Sequence, residues 1–179
     1  MLNMAITNIE DLCFTDATFS KPIKGNGYYY MRITKDKSNP EPIFLQTPKM
    51  MLASNIGDSS FVDMNLTHED YKNYVQTLDD TLISLLKENK DEWFVGKGLT
   101  TQFIDTGYLP SLKRNNDWRM IVSEDLAVYD DNKNHYDVHE LNAKDTMRCI
   151  VQLSGLWFTN TRWGVSWKLI QLKKTKKKE

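Results

Sequence analysis

The stretch that leaves this chain the fewest options spans residues 147–172, MRCIVQLSGLWFTNTRWGVSWKLIQL. Apolar side chains recur at every second position, Met147, Cys149, Val151 and Leu153, then Val165, Trp167 and Leu169. The polar run at 158–162 lies between them. Alternation rich in β-branched and aromatic residues, broken by a short polar link, predicts a β-hairpin. Three of the five tryptophans fall here, Trp157, Trp163 and Trp167, interleaved with Arg148, Arg162 and Lys168. Such a strand pair is either a core with a solvated back face or a platform where flat bases stack and cations hold phosphates.

Strand character also marks the N-terminal third. Residues 11–20 read as a first strand, the Gly25-Asn26-Gly27 turn leads into the β-prone run 28–34, and residues 43–47 form a third strand ended by Pro48. Short turns between them predict a meander. The period then changes. Thr67 reads as an N-cap with Asp70 reaching back, and Tyr71, Tyr74, Val75, Leu78, Leu82, Leu85 and Leu86 follow at helical spacing. Lys87 and Lys90 suit the negative end of that helix dipole. Residues 91–116 read as an insertion with a short helix near 99–104, with Trp93 and Phe94 packing on the core. Strand returns at 118–129, followed by a turn at 130–134 and another short strand before the hairpin.

Strands, one substantial helix, then more strands predict a mainly β fold. The expected architecture is an OB-fold-like five-stranded Greek-key barrel with its helix between strands 3 and 4 and added strand and loop insertions. A β-sandwich or an α+β sheet would also suit the order. The 179 residues, 40% hydrophobic and 11% aromatic, fit one folded domain over 1–172. Residues 173–179 read as a basic disordered tail. From Lys168 onward six lysines face one glutamate, so the preceding chain carries −6 of the overall −1. A basic end can add sequence-independent affinity for a polyanion.

Catalytic and metal signals are weak. No nucleophile elbow, phosphate-binding glycine loop or dinucleotide fingerprint occurs. His135 and His139 on an extended segment would be about 13 Å apart, too far to share an ion. Asp130, Asn132 and Asn134 mimic a calcium loop, but His135 and Leu141 stand where glycine and glutamate are needed. Asp79 and Asp80 read as a solvated helix face. Cys149, in an apolar strand, reads as a buried, inert thiol. The two distant cysteines and the absence of a secretory leader or long apolar run indicate a soluble protein of a reducing compartment. The expectation is no enzyme, no cofactor and no metal.

The tyrosine triplet places Tyr28 and Tyr30 on one strand face and Tyr29 on the other, flanked by Lys21, Lys24, Arg32, Lys35 and Lys37. Near the hairpin tip, Trp157 and Trp163 are the better exposed tryptophan candidates. Gly155-Leu156-Trp157-Phe158, Trp163-Gly164, Trp167-Lys168 and Gln171-Leu172 resemble the C-terminal half of the single-stranded DNA-binding protein of podophages. The segments PIKGNGYYYMRIT and PIFLQTPK are similar to the opening strands of its relatives in nucleocytoplasmic large DNA viruses. The resemblance implies an OB fold that coats single-stranded DNA in viral replication and recombination, inside the host cytoplasm or nucleus, without catalysis. The phage proteins end in an acidic tail closed by an aromatic residue, whereas this chain ends in lysines, which puts tail-mediated partner recruitment in doubt.

The expected nucleic-acid-binding residues are Tyr28, Tyr30, Trp157 and Trp163 as stacking groups, with Arg32, Lys35, Arg148, Arg162 and Lys168 as phosphate contacts. Single-stranded DNA is the expected partner, with RNA, replication proteins and self-association left open, and no membrane. The rival reading is a viral structural or protein-interaction module on the same scaffold.

Overall fold

The computed structural model describes residues 4–38 and 40–176. Seven strands precede the long helix: β1 (Ile6–Thr7), β2 (Thr18–Phe19), β3 (Ile23–Lys24), β4 (Tyr29–Thr34), β5 (Ile43–Gln46), β6 (Met50–Leu52) and β7 (Phe61–Asn65). Helices α1 (Glu69–Trp93) and α2 (Thr101–Gly107) follow, then β8 (Tyr108–Leu109), β9 (Asp117–Tyr129), β10 (Thr146–Phe158) and β11 (Trp163–Lys174).

The hairpin predicted from the alternation is the spine of the molecule. β10 and β11 pair antiparallel from Met147↔Lys174 to Phe158↔Trp163, and Thr159 N–H donates to the Arg162 carbonyl at 2.8 Å to close the turn. The other edge of β10 takes β4, β5 and β6 end to end, all antiparallel to it. These segments therefore act as one broken strand. β6 pairs with β7, β7 with β9, and β9 runs parallel to β11, which closes a five-strand barrel. The protein is a mainly β, OB-fold-like barrel with one main helix.

Several local expectations need correction. The first segments do not form a meander, because β4 and β5 both pair with β10 rather than with each other. Counted by barrel strands, α1 follows the second and precedes the third, since β4, β5 and β6 occupy a single position in the ring. Of residues 11–20 only Thr18–Phe19 is strand, and after the 130–134 turn there is a bridge at His135 and a 3-10 turn at Val138–Glu140 instead of a strand. The helix cap is His68, whose ring accepts from Tyr71 N–H, one residue later than Thr67. β11 continues through Lys174, so the basic tail begins later than 173; residues 177–179 lie outside the described residues.

Parity explains the core. Met147, Cys149, Val151, Leu153, Leu156 and Phe158 of β10 all point inward and are buried. The step from 153 to 156 is a bulge at Ser154-Gly155, which resets the alternation. α1 lays Tyr71, Val75, Leu78, Leu82 and Leu86 on the barrel, while Tyr74 falls outside the stripe and is exposed. Phe94 packs edge-on against Phe158 at 4.9 Å, and Trp93 stacks on Phe19 at 4.6 Å, as expected of core aromatics.

Asp79 is not on a solvated face. It is 4% exposed and accepts from Ser111 N–H (2.8 Å), Ser111 Oγ–H (2.6 Å) and the Tyr108 hydroxyl. Ser111 Oγ in turn accepts from Trp167 Nε1–H at 2.8 Å, so one carboxyl ties helix, loop and barrel together. Burial pushes the Asp79 pKa up against those hydrogen bonds. The Cys149 thiol is pushed up to about 12 by burial, as suits an inert core thiol.

Candidate functional site

Opposed residues in a sheet share a face, so the register of β4, β10 and β11 shows which predicted residues meet. One row across the outer surface reads Ile23, Tyr30, Trp157, Gly164 and Leu109, from β3 through β4, β10 and β11 to β8. The next outward row reads Arg32, Gly155 and Ser166. Their inward neighbours Met31, Leu156 and Val165 are buried, which fixes the parity.

The two glycines are beds for aromatic rings. A Cβ on Gly155 would fall 2.9 Å from Tyr30 Cζ and 2.8 Å from its hydroxyl oxygen. One on Gly164 would meet Trp157 Cζ2 at 3.0 Å and Cε2 at 3.2 Å. Tyr28 repeats the arrangement in the β3–β4 turn, its Cε1 and Cε2 2.6 and 2.7 Å from a Cβ on Gly25. Each ring is laid over the place where a side chain would stand. Tyr28 is 47% exposed, and Tyr30 and Trp157 are half-buried.

Cations extend from this platform. Arg32 is exposed beside Tyr30; Lys35 lies just past the end of β4; Arg162 is exposed in the β10–β11 turn. Lys168 stands outward between Gln152 and Ile121, and Arg148 faces Lys173 across the hairpin. Among the described residues, no ion pair engages Arg32, Lys35, Arg148, Arg162 or Lys168. Arg148 is nine residues from Trp157 on one strand, about 30 Å at full extension. The predicted residues thus form a line along β10 rather than a compact pocket.

Trp163 is the exception. It is fully buried, its Nε1–H donates to the Ile104 carbonyl at 2.9 Å, and its ring lies 5.8 Å from Phe158. It belongs to the core, because it opposes inward Phe158 while Trp157 opposes Gly164. A second exposed apolar pair, Phe61 and Ile121, faces outward across β7 and β9, with the Arg119 guanidinium 6.0 Å over the Phe61 ring. That guanidinium is held by both oxygens of Asp63, at 3.0 and 2.9 Å. Lys168, in register with Ile121 on the next strand, is the neighbouring cation that no ion pair engages among the described residues. Sequence reasoning missed the roles of Gly155 and Gly164, although a glycine inside a strand signals close approach of another group.

Residues 53–179 match the profile of a family described as a family of unknown function, DUF5871. The chain belongs to that family. The DUF5871 match begins just after β6 and takes in β7, both helices and the whole β10–β11 hairpin. No curated protein matches the sequence. Among solved structures, the single-stranded DNA-binding protein from bacteriophage Enc34 is similar in fold, with a TM-score of 0.50 and 11% identity over 90% of this chain and 92% of that one. A C-terminal truncation of the same phage protein gives 0.49 at 10% identity, covering 89% of this chain and 94% of its own. The phage protein in complex with ssDNA gives 0.47 at 10% identity, covering 89% and 96%.

Proposed function

We propose that this DUF5871 chain is a non-catalytic, sequence-tolerant single-stranded DNA-binding protein of the kind found in DNA phages and large DNA viruses, acting in replication or recombination. The observation that carries the reading is the outward platform: Tyr28, Tyr30 and Trp157, each bedded on a glycine, beside cations that form no ion pair among the described residues. Base faces stack on such rings irrespective of sequence, at about 1–3 kcal/mol per base. Arg32, Lys168 and Arg148 along the strand supply the salt-sensitive phosphate contacts. The likeness in fold to a phage protein that is named for this activity agrees with the reading.

Titration with oligo(dT), followed by tryptophan fluorescence at several salt concentrations, tests it. The expected result is quenching that persists in a variant lacking residues 176–179, with affinity falling as salt rises. Binding that disappears with those residues would assign all affinity to the lysine tail and leave the barrel as a protein-interaction scaffold.

A further inference from the structure

We propose that Lys97, together with Lys24, forms a second phosphate-binding site at the lip of the barrel, taking the sugar-phosphate backbone of a strand as it leaves the Tyr30–Trp157 platform. This rests on the reading of the platform as a single-strand track, and it adds a residue that no sequence pattern singled out.

The geometry begins with Tyr29. It has the opposite parity to Tyr30, lies opposite Lys24 on β3 and Phe158 on β10, and packs against the core. The Lys97 ammonium sits 4.5 Å over the Tyr29 ring, so that ring anchors one lysine directly and neighbours another across the strand pair. Phe158 is the last residue of β10, and the exposed turn carrying Arg162 follows at once. Lys24, Lys97 and Arg162 are thus gathered within a few register positions at one end of the barrel. Tyr28 stands exposed on the adjoining β3–β4 turn.

Lys97 is mounted in an unusual way. Gly96 and Gly98 on either side both have left-handed backbones, with φ of +71° and +65°, a conformation that side chains other than glycine's rarely adopt. One such glycine suffices to end a helix, and here Lys97 N–H already closes the end of α1 on the Phe94 carbonyl at 2.9 Å. The second bend turns the chain away directly after Lys97, whose ammonium rests over Tyr29. Val95, 76% exposed, shows how far this loop stands out from the body. Among the described residues, neither Lys24 nor Lys97 has an acidic partner. A cation resting on an aromatic face keeps its charge and can still donate hydrogen bonds to an anion on its open side.

The test measures anisotropy of labelled oligo(dT) across a salt series for wild type, K97A, K97R and the K24A/K97A double variant, with K113A on the β7–β9 side as control. Each lost phosphate contact on a single strand lowers the salt slope by about 0.7, or about fivefold in affinity at 0.1 M salt. K97A is expected to show that loss, the double variant about 25-fold and a slope lower by about 1.4, and K97R and K113A to match wild type. A double variant with wild-type affinity and slope would overturn the lip site while leaving the platform reading intact. Weaker binding with an unchanged slope would also overturn it, by showing that the loop acts through shape and not charge. Wild-type protein with no affinity for oligo(dT) would overturn both.

Discussion

Trp157 and Trp163 stand on either side of the same turn, yet one faces solvent over a glycine and the other is sealed beneath α2. Composition, spacing and neighbouring charge do not distinguish them. What does is register: Trp157 opposes Gly164 and shares Tyr30's face, whereas Trp163 opposes Phe158 and shares the core's. A tryptophan in a strand becomes a platform only when the strand beside it leaves room for its ring.

Trp163→Ala should be the most damaging change. It removes a fully buried indole and orphans the Ile104 carbonyl, so a loss of about 3–5 kcal/mol is expected, read as the urea midpoint. Trp157→Ala should leave that midpoint nearly unchanged and instead weaken oligo(dT) binding by about 1–3 kcal/mol, on the order of 5- to 150-fold. If the two variants proved alike in stability, the division between an inner and an outer face would be wrong.

The two glycines sharpen the comparison. A methyl group at Gly155 would drive into the Met31 carbonyl as well as the Tyr30 ring, so Gly155→Ala should loosen β4 from β10 and cost both stability and binding. At Gly164 the nearest atoms belong to the Trp157 side chain, which can tilt away. Gly164→Ala should therefore reduce binding severalfold with little change in midpoint. Equal losses of stability in both variants would show that neither glycine serves the ring above it.

The hairpin, the long helix and β9 were legible because each carries its period over ten or more residues, enough to override a local ambiguity. The broken strand β4–β6 was not. Its three segments are separated by turn residues and prolines that locally imitate hairpin loops, and only their shared partner β10 reveals them as collinear. Of the expected site, Tyr28, Tyr30, Arg32 and Trp157 could be grouped by alternation and charge. Trp163 was misplaced although it keeps the inward phase of Val165, Trp167 and Leu169 on β11. The Ser154-Gly155 bulge acts on β10, where it turns Trp157 off the phase of Val151 and Leu153 and outward, and no single-strand pattern shows a bulge before its partner is known. Asp79 was misread for a related reason. Its helix position flanks the apolar stripe, and its partners Tyr108 and Ser111 arrive from about thirty residues downstream.

Two carboxylates, one on the outer surface and one beneath the helix, provide the smallest and most specific contrast. Asp63 is held below the usual carboxylate range by hydrogen bonds from Arg119 and Lys113, so its folded-state pKa lies under its unfolded value. The stability it contributes is complete above about pH 3.9 and lost as pH falls through that lower value. Asp79 is shifted the other way: burial favours its protonated form in the folded state. Between about pH 3.9 and its raised folded value the folded chain binds more protons than the unfolded one, so stability falls as pH rises through that window. Urea midpoints from pH 2 to 8 separate the two. Asp63→Asn should flatten the acid limb alone, and Asp79→Asn the decline above pH 3.9 alone, whatever offset its altered hydrogen bonds impose. A decline that survives in Asp79→Asn would mean the three donors around that carboxyl outweigh its burial, and that the buried clamp between α1 and Trp167 is held by a charge.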